Sequence, residues 1–138
     1  MYLSYALTPF LAWLVAGTLK FLINSIRARQ LAFGQIGYGG LPSNHSAIVS
    51  STAALIAMRE GISQPSFAIA VTLAFIVMLD AASLRRQIGK HASAINRMAA
   101  SDACHDVLRE RMGHSRVEIA AGVIVGILVA AAVHAVFR

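Results

Sequence analysis

The sequence predicts an all-α polytopic membrane bundle: about four transmembrane helices plus one interfacial amphipathic helical segment. Three observations predict it. Hydrophobic residues make up 57% of the 138-residue chain and charged residues only 13%, against roughly 25% charged in an average soluble domain. The mean hydropathy is +0.66. The apolar residues fall into long runs, and most of the charges gather between those runs and at their ends.

The totals bound the function classes. At this length the chain forms a single membrane-embedded domain, 1–138. A net charge of +6 fits anionic lipid or phosphate. Basic patches interleaved with aromatics are missing, so nucleic acid is not an expected partner. Cys104 is the one cysteine, which leaves no internal disulfide, no CxxC and no Cys/His metal spacing. The start Met1-Tyr2-Leu3-Ser4-Tyr5 lacks the basic region of a cleaved signal peptide, so the first run is expected to be a retained span.

The first element covers residues 2–19, about 27 Å as a helix, enough to cross the hydrocarbon core. It continues through Lys20, Asn24 and Arg27, with Pro9 as a kink signal. Taken alone, Lys20 is well explained as a snorkelling anchor. Residues 28–44 read as a loop, because Gly34, Gly37, Gly39, Gly40 and Pro42 deny it regular structure. Ser43 or Asn44 caps the next helix, 45–59. That helix is short and carries Ser46, Ser50, Ser51 and Thr52, which places it inside the bundle. Gly61 ends it.

Pro65 opens a third helix, apolar from Ser66 to Leu79, with Asp80 at its end and Arg85 and Arg86 just beyond. An ionisable residue in such a run is a functional candidate by default, although an arginine partner at a helix end is the plainer account. Residues 86–112 change character, with apolar Ile88, Ala92, Ile95 and Ala99 at helical spacing among many charges. They read as an amphipathic helix or helical hairpin at the membrane interface. Gly113 breaks it, and 117–137 is the last span. Gly122 and Gly126 form a small-xxx-small pattern for close packing, within the chain or in a homo-oligomer.

This topology puts Lys20, Arg27, Arg29, Arg85, Arg86, Lys90, Arg97, Arg109, Arg111 and Arg116 on one face, with Arg59 and Arg138 on the other. Positive-inside bias makes the first face cytoplasmic and sends both termini to the opposite side. Four helix ends then converge there: Lys20 and Arg27, His45, Asp80 with Arg85 and Arg86, and His114 with Glu118. Cations and helix N-termini favour an anion. In His114-Ser115-Arg116-Val117-Glu118 the acid lies four residues after the histidine, on one helical face. A carboxylate on one ring nitrogen leaves the other as a directed nucleophile, whereas a plain helix cap is the competing account.

These residues carry a resemblance. Lys20-x6-Arg27, Pro42-Ser43-Asn44-His45, an arginine and a His-x3-acid unit resemble the type 2 phosphatidic acid phosphatase superfamily. The segments GGLPSNHSA, DAASLRRQIGKHASAIN and GHSRVEIAAG are similar, in order, to its divergent branch, the short membrane proteins related to acid phosphatases and vanadium-dependent haloperoxidases. The resemblance implies that His114 attacks phosphorus to form a phosphohistidine, that Glu118 orients it, and that His45 protonates the leaving oxygen. Lys20, Arg27 and one of Arg85 and Arg86 would hold the phosphoryl oxygens, aided by the backbone near Ser43 and Asn44, with Gly40 in support. No metal or cofactor is implied, and vanadate is expected as a phosphate mimic. Asp80 is left with three roles: orienting His45, pairing with Arg27 or holding a cation.

The chain departs from the superfamily pattern at several points. No proline follows Arg27, Asn44 replaces a small residue, Leu84 stands in place of a serine, and Glu118 replaces an aspartate. The whole 87–113 segment separates the arginine from His114. His91 fits the usual spacing from Arg85, but Ile95 then occupies the acid's place. The expected function is hydrolysis of a lipid or isoprenoid phosphate monoester. The alternative is a non-catalytic membrane protein that binds anionic headgroups or partner helices through the same pocket, and a haloperoxidase is a weaker third reading.

Overall fold

The computed structural model describes residues 3–29, 31, 40–101 and 105–137. Gly34, Gly37 and Gly39 of the expected loop, together with Asp102, Cys104 and Arg138, lie outside them. The elements are α1 (Leu3–Ala28), α2 (Asn44–Arg59), α3 (Pro65–Leu79), a π-helical turn (Asp80–Leu84), α4 (Arg85–Met98) and α5 (Arg116–Val136). The chain is an integral membrane protein of helical-bundle type. Among the described residues, three helices are long and apolar enough to cross a membrane: α1, the continuous helix Pro65–Met98, and α5. With 16 residues, α2 is the short fourth member.

The helix α2 is the core. It packs against α1, α3 and α5 and buries Ser46, Ala47, Val49, Ser50, Ser51, Ala53, Leu55 and Ile56. Its hydroxyls make this burial feasible by bonding back to their own helix: Ser50 Oγ donates to the Ser46 carbonyl at 2.6 Å and Ser51 Oγ to Ile48 at 2.8 Å. These two hydroxyl donors are then not left bare in an apolar interior. Small residues set the packing. Ala12 and Ala16 of α1 meet Ala47. A Cβ at Gly122 would stand 2.9 Å from Ser46 Cβ, and one at Gly126 would collide with Ser50 Oγ and the Ala47 carbonyl. Gly122 and Gly126 therefore pack within the chain, against α2, the first of the two uses that their spacing allowed. Large apolar side chains point outward instead, among them Phe10, Trp13, Leu73, Phe75, Ile124 and Leu128. Lipid covers such residues, and close contact of small residues holds the helices together.

Arg59 ties the ends of three helices at the far face. Its guanidinium donates to Ser4 Oγ and to the Phe137 carbonyl and lies 5.2 Å from the centre of the Tyr5 ring. The start of α1, the end of α2 and the end of α5 thus share one face, and the other ends meet at the opposite one.

The stretch after α3 differs from expectation. The helix does not stop near Asp80 but runs through the π turn into α4, and helical structure ends at Met98 instead of continuing toward 112. Residues 105–112 return along α4 without regular structure. Asn96 explains this: Nδ2 donates to the Leu108 carbonyl at 2.8 Å, while Oδ1 accepts the Leu108 N–H at 2.9 Å. One side chain satisfies both backbone groups that a helix would otherwise pair. Glu110 and Met112 press on Gly89, where a Cβ would collide with the Glu110 carbonyl. The result is an arm, helix out and extended chain back, that delivers the chain to His114.

Candidate active site

The site begins with the inner face of α1, where Gly17, Lys20 and Asn24 recur at helical spacing. Gly17 lies beside Asn44, and Gly40, at φ 140°, would bring a Cβ within 3.3 Å of Asn24 Oδ1. Both the conformation and the tight approach call for glycine at position 40.

The start of α2 follows. Ser43 is its N-cap: its buried Oγ accepts the Ser46 N–H at 3.3 Å, and its own N–H donates to the Glu118 carbonyl at 2.9 Å. Ser43 is therefore committed to structure on both counts and does not present its amide to a phosphate as the sequence suggested. Beyond it, Asn44 Oδ1 and His45 Nδ1 are buried and have no hydrogen-bond partner among the described residues.

The start of α5 supplies the second histidine. Ser115 and Glu118 form a capping box, with Glu118 N–H donating to Ser115 Oγ at 3.2 Å and Ser115 N–H to Glu118 Oε2 at 3.1 Å. The same Oε2 lies 3.0 Å from His114 Nδ1. The cap and the histidine partner, competing accounts of Glu118 in the sequence, are one arrangement. His114 is buried, and its N–H donates to the Ala81 carbonyl at 2.9 Å. Gly113, at φ 87°, leaves a Cβ only 3.1 Å from the Arg86 nitrogen, so a side chain there would push His114 out of place.

These pieces meet. The His45 and His114 ring centres are 5.9 Å apart and tilted by 55°. Among the described residues, Arg85, His114, Lys20 and Asp80 lie close enough to act on His45 electrostatically, and Glu118 acts on Lys20. Asp80 pairs with Arg85, Oδ2 to Nε at 3.0 Å, in place of Arg27. Among the described residues, no three His, Cys, Asp or Glu side chains gather in a way that would hold a metal ion.

Other sequence candidates stand apart. Arg27 is exposed on the last turn of α1, two turns and roughly 10 Å beyond Lys20, outside the group acting on His45. Arg86 and His91 are exposed on α4. Sequence reasoning missed Gly17, Asn24, Ser115 and the Ala81 carbonyl. The Gly17-x2-Lys20-x3-Asn24 spacing and the Ser115-x2-Glu118 box were available signals, whereas the carbonyl left none. The assembled group, a carboxylate-held histidine facing a second histidine beside a lysine and an arginine, is equipped to hold an anion and exchange protons with it.

The sequence matches the Divergent PAP2 family over residues 4–129. The chain belongs to that family. Among the relatives of this Divergent PAP2 member is the Uncharacterized membrane protein YuiD of Bacillus subtilis (strain 168), 30% identical over 139 residues and covering 88% of each chain. No solved structure matches. Family membership agrees with the resemblance of the GGLPSNHSA, DAASLRRQIGKHASAIN and GHSRVEIAAG segments, all of which lie within the matched residues.

Proposed function

We propose that this protein is an integral membrane phosphatase that hydrolyses a lipid or isoprenoid phosphate monoester. The observation that carries the reading is the approach of His45 to His114, 5.9 Å between ring centres, with Glu118 on Nδ1 of His114. A carboxylate at Nδ1 holds the proton there and turns the Nε2 lone pair outward. In the proposed reaction Nε2 attacks phosphorus, the bond from phosphorus to the leaving oxygen breaks, and His45 gives that oxygen a proton. Water, deprotonated by His45, then displaces the phosphoryl group from His114 and regenerates both histidines. Lys20 and Arg85 neutralise the phosphoryl oxygens, and the N-terminus of α2 adds partial positive charge. The family name and the resemblance of the three segments support the same chemistry. The bilayer setting favours substrates whose apolar tails stay in lipid. Positive-inside bias makes the site face cytoplasmic, since Lys20, Arg85, Arg86, Lys90, Arg97, Arg109, Arg111 and Arg116 all lie toward it.

The test is phosphate release by the purified protein in nanodiscs, against a panel of phosphatidic acid, polyprenyl phosphate and a soluble ester. Turnover inhibited by vanadate and lost in His114→Ala is expected. Activity retained in both His114→Ala and His45→Ala overturns the mechanism, and headgroup binding without turnover favours the recognition role instead.

A further inference from the structure

The π turn at Asp80–Leu84 has a consequence that reaches the site. Residues five apart lie roughly 140° apart around a regular helix of 3.6 residues per turn, so Asp80 and Arg85 would face different ways. In the π turn the Arg85 N–H reaches back five residues to the Asp80 carbonyl, and the wider turn brings the two side chains into line. Their ion pair, Oδ2 to Nε at 3.0 Å, is the product. Because Arg85 N–H bonds to Asp80, it makes no claim on the Ala81 carbonyl, which accepts the His114 N–H at 2.9 Å. One irregular turn therefore fixes the approach of an arginine and the backbone of a histidine together, beside His45, on which both Arg85 and Asp80 act.

We propose that Asp80 is a positioning residue: it holds the Arg85 guanidinium by its Nε edge so that the Nη edge is presented to a phosphoryl group between His45 and His114. This rests on the phosphate-site reading above and adds a role for Asp80 within it. The pair is only partly buried, with side chains 38% and 37% exposed, so water screens its attraction and orientation is the main contribution. A guanidinium offers donors on two edges and serves two acceptors at once. The sign of the effect separates this role from simple charge. Removing a carboxylate beside a cation strengthens the local pull on an anion, whereas releasing an oriented arginine weakens binding.

Vanadate binding to the purified full chain in nanodiscs tests the proposal, using Asp80→Ala, Asp80→Asn, Arg85→Ala and the double variant Asp80→Ala/Arg85→Ala. Asp80→Ala is expected to weaken binding about tenfold, the scale of one rotamer-rich side chain set free at a binding site. Asp80→Asn keeps an acceptor for Nε–H and should stay within about threefold. In the Arg85→Ala background Asp80→Ala should have no further effect. Tighter or unchanged binding in Asp80→Ala overturns the proposal, as does an effect that persists without Arg85. Should Asp80→Ala fail to fold, the Arg85 Nε–H resonance of the wild type and Asp80→Asn decides. A slowly exchanging signal in both supports the pair, and a signal like that of a free arginine overturns it. Wild-type protein that binds no vanadate overturns the phosphate reading and this role with it. Binding that ignores Asp80 overturns the role alone.

Discussion

The backbone N–H of Ser43 donates to the carbonyl oxygen of Glu118 at 2.9 Å, joining the first turn of α2 to the first turn of α5. The first turn of α2 carries His45, two residues after Ser43, and His114 stands just ahead of α5, four residues before Glu118. The join uses main-chain atoms, so it survives side-chain changes at either end. Ser43→Ala should therefore leave vanadate affinity within about threefold while lowering stability by about 1 kcal/mol through loss of the N-cap. Thermal unfolding in detergent, read alongside vanadate binding, checks both parts. A large loss of affinity in a folded Ser43→Ala protein would show that the hydroxyl meets the phosphate after all.

Glu118 has two tasks that one substitution can separate. Glu118→Gln keeps a side-chain oxygen able to accept the Ser115 N–H, so the capping box and the fold should persist. It removes the carboxylate that faces His114 Nδ1 at 3.0 Å. Turnover should fall by about 100-fold or more, the usual scale for losing a positioned acid–base partner, with little change in KM. Steady-state kinetics on whichever phosphate monoester the wild type hydrolyses gives the answer. Equal activity in the two proteins would leave Glu118 as a helix cap only.

What the sequence made legible followed from composition and periodicity. The apolar runs gave α1, α3 and α5, Pro65 marked the start of α3, and the serines of α2 pointed to a buried helix. The convergence of four helix ends followed from the topology those runs impose. Long-range partners hid the rest. Nothing local in Asp80-Ala81-Ala82-Ser83-Leu84 announces a π turn, since no proline or glycine interrupts it. Residues 105–112 looked helical because Asn96, which takes up the backbone of Leu108, lies twelve positions before it. Ser43 looked available to a ligand because its N–H partner lies 75 residues further on, in Glu118.

The contact of α5 with α2 has no slack. A methyl group at Gly126 would collide with Ser50 Oγ and the Ala47 carbonyl. The side chain could turn, but the carbonyl belongs to the core helix and cannot move without it. Gly126→Ala should destabilise the bundle by roughly 1–3 kcal/mol, the usual range for overpacking. Adding Ser50→Ala should restore only part of the loss, because the Ala47 carbonyl remains. Unfolding of the single and double variants in mixed micelles measures this, and full rescue would place the conflict at the serine alone.

The arm that leads into His114 depends on Asn96. Asn96→Ala removes both of its bonds to the Leu108 backbone and its bond to the Glu110 carboxylate, 2.8 Å from Nδ2. The freed groups are exposed and find water, so the bundle itself should lose little stability. The return segment should open, and trypsin should cut after Arg109 or Arg111 at least several-fold faster than in the wild type. Unchanged cleavage would show that the Gly89 contact alone holds the segment.

The same contact makes the arm sensitive to acid. Hydrogen bonds from Asn96, and secondarily from Ser93, hold the Glu110 carboxyl below the ordinary glutamate range. A depressed carboxyl favours the closed arm most fully above the unfolded value, about 4.3. The contribution is lost as pH falls through the lower value of the closed state. In a His105→Gln background, which removes the ring whose Nε2 also meets Asn96 Oδ1 at 3.0 Å, the Asn96 side-chain amide resonances should therefore hold steady from neutral pH down to about 4.3 and move toward those of a free amide below it. Glu110→Gln should abolish that transition, because glutamine does not titrate. A transition that appears on raising the pH, or that persists in Glu110→Gln, would mean that a different group controls the arm.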